Sequence, residues 1–189
     1  MRFAINGFGR VGRTLLRVYA SREDARARLT LAAINEIADA DTVVHLARYD
    51  SNYGRYPGAI ARAASSLVID QCSVPLSHVA EVALLPWQQH QIDLVLECTG
   101  AFTDRITAEQ HLQAGASRVL FSQPAESDVD ETIVYGVNSD SLSADMTVVS
   151  AASCTTNAVV PVLATLSRAV GIEAATITTI HSLMNDQPV

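Results

Sequence analysis

The run Ala151-Ala152-Ser153-Cys154-Thr155-Thr156-Asn157 contains the residue best placed for covalent chemistry. It follows the apolar run Met146-Thr147-Val148-Val149 and precedes a helix-like stretch, Ala158 to Val170. A cysteine at such a junction lies near a helix N-terminus, where unpaired N–H groups and the helix dipole favour the thiolate. A thiolate is a nucleophile. The alternative is a buried, inert cysteine, the commoner fate of a free thiol.

A thiol nucleophile needs a base or a positive neighbour. The chain offers His45, His78, His90, His111 and His181. His45 and His111 fall within helical patterns, as solvated or core residues, and His78 and His90 lie in polar stretches expected at the surface. His181 ends a Thr/Ile-rich stretch, Ala174 to His181, read as a strand with Ile177, Thr179 and His181 on one face. A helix, a turn and a return strand fit between Cys154 and His181, which would bring the histidine back beside the thiol. Spacing alone leaves that pairing open.

A second constellation stands at the start of the chain. Gly7-Phe8-Gly9-Arg10-Val11-Gly12 is G-x-G-x-x-G, and it follows a strand-like run and opens a helical one, the context the motif requires. Gly7 permits the tight turn, Gly9 leaves room for a pyrophosphate, and Gly12 lets helix pack on strand. N–H groups at the helix start then bind phosphate. The next strand ends at Asn35-Glu36, where a carboxylate accepts from ribose hydroxyls and repels a 2′-phosphate, so NAD is expected over NADP. Thr99-Gly100 and Ser122 each end a strand and are candidate walls of the same site. The alternative is a glycine turn used only for packing.

The elements that position these residues read as alternating strands and helices. Strands are expected at Arg2 to Asn6, Leu29 to Ile34, Asp93 to Cys98, Arg118 to Phe121, Ile133 to Val137 and Thr147 to Ser150, with weaker signals at Leu67 to Ile69 and Val74 to Leu76. Pro75 suggests an edge strand. Helices are expected at Val11 to Ala20, at Asp41 to Tyr49 capped by Asp39 or Asp41, and at Thr107 to Ala114 with a Thr107-x-x-Gln110 capping box. Ser51 to Gly58 reads as a polar loop. This order predicts an α/β fold, a doubly wound, mostly parallel sheet of Rossmann type.

Composition narrows the function classes. Net charge is −7, which argues against nucleic-acid and anionic-membrane partners. All 13 basic residues are arginines, so no lysine serves a Walker A loop or a Schiff base. No apolar run approaches a membrane span, and Met1 to Gly7 lacks a signal-peptide pattern, so a cytoplasmic location is expected. Cys72, Cys98 and Cys154 form no CxxC pair, and no metal site is expected.

Ile5-Asn6-Gly7-Phe8-Gly9-Arg10-Val11-Gly12, Glu97-Cys98-Thr99-Gly100, Ala152-Ser153-Cys154-Thr155-Thr156-Asn157 and Thr178-Thr179-Ile180-His181 resemble the phosphorylating glyceraldehyde-3-phosphate dehydrogenase family. The resemblance runs along the whole chain; Ser-Cys-Thr-Thr-Asn is its specific part and the glycine motif is not. Within the family the chain is most similar to the erythrose-4-phosphate dehydrogenases, through Asn35-Glu36-Ile37-Ala38-Asp39, Val134-Tyr135-Gly136-Val137-Asn138 and Thr178 to Gln187. Met184 stands where glyceraldehyde-3-phosphate dehydrogenases usually carry a phosphate-binding threonine, and methionine cannot donate that hydrogen bond.

The resemblance implies Cys154 as nucleophile and His181 as base. It implies Ser153 and Thr155 beside the substrate, and Gly7, Phe8, Gly9, Arg10, Val11, Gly12, Asn35, Glu36, Thr99, Gly100 and Ser122 at NAD. The substrate would be a phosphorylated aldehyde, D-erythrose 4-phosphate, oxidised to 4-phosphoerythronate for pyridoxal phosphate synthesis. Glyceraldehyde 3-phosphate oxidation and an NAD-binding module without turnover are the alternatives. The resemblance also implies a homotetramer for the intact enzyme. The expected organisation is a nucleotide domain, 1–153, followed by the incomplete start of a catalytic domain, 154–189, because family members continue well past the histidine with arginines that hold substrate phosphates.

Overall fold

A computed structural model describes residues 1–181. In chain order the elements are β1 (Arg2–Asn6), α1 (Arg10–Ser21), α2 (Glu23–Arg28), β2 (Thr30–Asn35), α3 (Ala40–Arg48), β3 (Tyr49–Asp50), β4 (Gly54–Arg55), β5 (Ile60–Ala63), β6 (Ser66–Ile69), β7 (Cys72–Ser77), α4 (Trp87–His90), β8 (Leu94–Glu97), α5 (Arg105–Gln113), β9 (Arg118–Phe121), β10 (Glu131–Thr132), β11 (Val148–Ser150) and α6 (Cys154–Val170).

Nine strands form one sheet in the order β10-β11-β9-β8-β1-β2-β7-β6-β5. Pairing is parallel from β10 to β7, and β7, β6 and β5 close that side as an antiparallel meander. The expected doubly wound, Rossmann-type sheet is therefore present. From β1 the chain passes to β2, then to the edge strand β5 and inward through β6 to β7, and crosses to the other side of β1 at β8. The strand order thus reverses beside β1, and the C-terminal ends of β1 and β8 flank the crevice where such sheets bind ligands.

Alternation along β1 explains why both faces are covered. Phe3 and Ile5 pack with Leu16 of α1 and Val43, Val44 and Ala47 of α3. Ala4 points the other way, toward Trp87, Ile92 and Val95. A buried strand with side chains on both faces needs helices on both, the layering of a parallel sheet. A smaller cluster, Ala108, Val119, Phe121 and Val148, joins α5 to β9 and β11.

Several expectations need correction. Pro75 lies in an interior strand, not at an edge. Leu76 N–H turns to the β6 side, toward Ser65 C=O, so the proline nitrogen faces β2, whose ladder with β7 begins only at Leu76. Alternation therefore puts the missing donor where no bond is required. α5 starts at Arg105 and not Thr107, because Asp104 is the cap: its carboxylate accepts from Thr107 N–H at 2.8 Å and Thr107 Oγ1 at 2.9 Å.

The Ile133 to Val137 strand is absent. Val134 N–H donates to Asn138 Oδ1 at 2.7 Å and Asn138 Nδ2 to Thr132 C=O at 2.9 Å. That side chain closes a turn through Gly136 at φ +78°, and the strand shrinks to β10 upstream. Ser51 to Gly58 holds β4, which forms a short hairpin with β3. Ala174 to His181 is irregular; among the described residues no strand pairs with it, and a strand needs a ladder partner. α6 begins at Cys154 and runs through Pro161, so the proline lies beyond the first turn and leaves Asn157 C=O without its helical donor.

Candidate active site

The crevice between the ends of β1, β2 and β8 has a volume of about 270 Å³ and is open to solvent. Asn6, Gly7, Gly9, Asn35, Glu36 and Thr99 line its floor and glycine side, and Val79, Cys98 and Phe102 belong to its walls. Each glycine of the motif has a different neighbour. Gly7 has φ +86°, and a Cβ there would lie 2.6 Å from Thr99 N. A Cβ on Gly12 would lie 2.3 Å from Gly7 O. A Cβ on Gly9 would meet nothing within 4 Å. Packing thus requires Gly7 and Gly12 to be glycine and leaves Gly9 unexplained, except as room for a ligand.

The rest of the crevice fits a dinucleotide. Gly9 caps α1 without a side-chain hydrogen bond, and no acidic residue occupies the first turn. The N–H groups and positive dipole end there remain available to phosphate. Among the described residues, Glu36 is the only charged one lining the crevice. Its carboxylate accepts from Phe8 N–H at 2.7 Å and Ala38 N–H at 3.1 Å, one on each oxygen. Each oxygen keeps a free lone pair for a hydroxyl donor, and the charge opposes a second phosphate.

Below the crevice lies a buried polar chain centred on Glu97, which local sequence patterns do not join together. Glu97 is fully buried. It accepts from Asn6 Nδ2 at 2.6 Å, Thr99 N–H at 2.8 Å, Thr99 Oγ1 and His111 Nε2 at 3.0 Å. Trp87 Nε1 donates to His111 Nδ1 at 2.9 Å. Indole is a donor only, so Nδ1 accepts and Nε2–H points at Glu97. On the other side Asn35 Nδ2 donates to Asn6 Oδ1 at 2.8 Å, and Asn35 Oδ1 accepts from Val79 N–H at 2.9 Å. The crevice floor is therefore hydrogen-bonded into the core. The available signal was the polar Glu97 ending an apolar strand and His111 on the inner face of α5.

The structure separates the candidate cofactor residues into two groups. Gly7, Gly9, Asn35, Glu36 and Thr99 line the crevice. Phe8 buries its ring in the core, and Gly12 packs beneath Gly7. Arg10 and Val11 are exposed on α1, and Gly100 is exposed after Thr99. Ser122 Oγ donates to Gln123 Oε1 at 2.8 Å and also contacts the Cys98 thiol. Burial nevertheless pushes the Cys98 thiol up to about 12, which disfavours its thiolate near neutral pH.

Cys154 lies at the same edge of the sheet, because β11 runs parallel to β9, and β9 to β8. Ser153 caps α6 by accepting from Thr156 N–H at 2.9 Å, and its hydroxyl also meets Thr156 Oγ1 at 2.7 Å. Cys154 is therefore the first helical residue and is exposed. Its Sγ lies 3.3 Å from His181 Nε2. The His181 hydrogen bond, followed by Thr155 hydroxyl and N–H contacts, holds the thiol below its ordinary range, against the effect of burial. An exposed, depressed thiol beside an imidazole is suited to nucleophilic attack.

The helix N-terminus adds one further group. The Cys154 N–H is in the first turn, where no intrahelical acceptor exists. It is placed to stabilise an oxyanion formed beside the sulfur. Met184 and the other residues after His181 lie outside the described residues. No described helix is long and apolar enough to cross a membrane.

Comparison with protein families agrees with this architecture. The model described as glyceraldehyde 3-phosphate dehydrogenase, NAD binding domain, matches residues 1–105. The model described as glyceraldehyde 3-phosphate dehydrogenase, C-terminal domain, matches residues 153–189. The chain belongs to the glyceraldehyde 3-phosphate dehydrogenase family, NAD-dependent oxidoreductases of phosphorylated aldehydes.

Proposed function

We propose that the chain oxidises D-erythrose 4-phosphate to 4-phosphoerythronate through a covalent intermediate on Cys154. The carrying observation is the 3.3 Å approach of Cys154 Sγ to His181 Nε2 at the start of α6. The choice of substrate rests on the sequence, where Met184 stands in place of a phosphate-binding threonine.

The Cys154 thiolate adds to the aldehyde carbon, and the carbonyl electron pair moves to oxygen beside the Cys154 N–H. Protonation gives a thiohemiacetal. His181 Nε2 then takes the hydroxyl proton as the C–H bond breaks. Bound NAD supplies the hydride acceptor for that step. The resulting thioester is attacked by water, the C–S bond breaks, and the thiolate is restored. Ser153 and Thr155 flank the substrate in this scheme, although the Ser153 hydroxyl already caps α6.

Gly7, Gly9, Asn35, Glu36 and Thr99 hold the cofactor, with Phe8, Arg10, Val11, Gly12, Gly100 and Ser122 supporting that site. The nucleotide domain comprises 1–153 and the catalytic domain begins at 154. The enzyme acts in the cytoplasm as a homotetramer and supplies an acid for pyridoxal phosphate synthesis. Steady-state kinetics with both aldehydes test the substrate. A higher kcat/KM for D-erythrose 4-phosphate, independent of inorganic phosphate, is expected. A preference for glyceraldehyde 3-phosphate that requires inorganic phosphate would overturn the choice.

A further inference from the structure

The turn that leads into Cys154 is strained. Ala152 has φ +61°, a left-handed conformation in which a Cβ crowds the following carbonyl. Residues held this way persist only where their surroundings over-determine them, and they gather at functional sites. Ala152 is bracketed from two sides. On the strand side, buried Ser150 accepts from Ala152 N–H at 3.0 Å and donates to Gln123 C=O at 2.8 Å. Ala151 N–H also donates to Phe121 C=O at 2.9 Å. On the helix side, one amide does the work: Asn157 Nδ2 donates to Ala151 C=O at 2.7 Å and to Ser153 C=O at 3.0 Å.

Building on Cys154 as nucleophile, we propose that Asn157 is a positioning residue whose amide clamps the carbonyls either side of strained Ala152. The clamp keeps Cys154 at the start of α6, within reach of His181 and Thr155.

Residue chemistry supports a clamp over a helix-building role. Asn157 is exposed and sits inside the first turns of α6. Asparagine is a weak helix former, and alanine would favour the helix more. Ser153 C=O already accepts the helical bond from Asn157 N–H at 2.9 Å, so the side chain adds a second donor that the helix does not need. The amide nitrogen, with two donors, reaches both carbonyls from one position.

The test follows alkylation of the full chain by iodoacetamide across pH, with each cysteine peptide quantified by mass spectrometry and exposed Cys72 as internal control. Asn157→Ala is expected to slow alkylation of Cys154 about tenfold at neutral pH and to move its midpoint up by about one pH unit. Cys72 and the melting temperature are expected to stay unchanged. Adding Ala152→Gly is expected to restore the rate, because glycine takes φ > 0 without the Cβ penalty. Wild-type kinetics in Asn157→Ala, or a loss that glycine does not rescue, would overturn the clamp. If wild-type Cys154 is alkylated no faster than Cys72 at neutral pH, the nucleophile assignment itself fails and the clamp with it.

Discussion

The cofactor crevice and the thiol turn share one edge of the sheet but are held by different means. Under the crevice, fully buried Glu97 gathers four hydrogen bonds, and Asn6, Asn35, His111 and Trp87 extend that network through the core. At the turn, Cys154 and Asn157 are exposed, and α6 buries none of its described side chains. The crevice geometry therefore follows from folding itself. The thiol geometry depends on a few directional bonds around one strained residue. Substitutions should accordingly separate: loss of stability at the crevice floor, loss of reactivity at the turn.

The largest effect is expected at the sulfur. Cys154→Ser should lower turnover by at least about a thousandfold, because the covalent step loses its nucleophile. NAD affinity and melting temperature should be unchanged. Next comes Glu97→Ala, which strands the donors of Asn6, His111 and Thr99 in the core. It should cost about 3 kcal/mol or more in urea unfolding, whereas Asn157→Ala should stay within about 0.5 kcal/mol. Similar losses from the two would remove the contrast between floor and turn.

The thiols provide a third separation. Cys154 is held below its ordinary range by His181, and Cys98 is pushed up to about 12 by burial. Reactivity follows the thiolate, which each group gains as pH rises through its own pKa. Alkylation near neutral pH should favour Cys154 over Cys98 by at least about a hundredfold, and Cys98 should react only as pH approaches 12. Peptide mass spectrometry reads both. The smallest effect is expected at Gly9, where a Cβ meets no protein atom. Gly9→Ala should weaken NAD binding about tenfold by calorimetry with little change in melting temperature.

The nucleotide-binding half was legible because its signals are local. The glycine motif marks β1, the turn and α1 within a few residues, and Glu36 follows at the end of β2. Cys154 and His181 were legible as residues, but the return strand meant to join them was not formed. Thr/Ile content records a preference for strands, whereas a strand also requires a partner from elsewhere in the chain. The same reason hid the Pro75 environment, since the edge or interior position of a strand is decided by its neighbours. Asn138 closing the Val134 turn and Asp104 capping α5 are side-chain competitions that periodicity does not weigh. The Glu97 network joins β1, β8 and α5, and only the assembled sheet brings those residues together.

Cys154 is expected to carry the oxidised substrate as a thioester while NAD is reduced. Single-turnover mixing of enzyme, NAD and D-erythrose 4-phosphate, quenched in acid and examined by peptide mass spectrometry alongside NADH absorbance, tests it directly. NADH is expected to form before product release, together with a phosphoerythronyl adduct confined to the Cys154 peptide. NADH formed with no adduct on Cys154, or an adduct that forms equally without NAD, would contradict it.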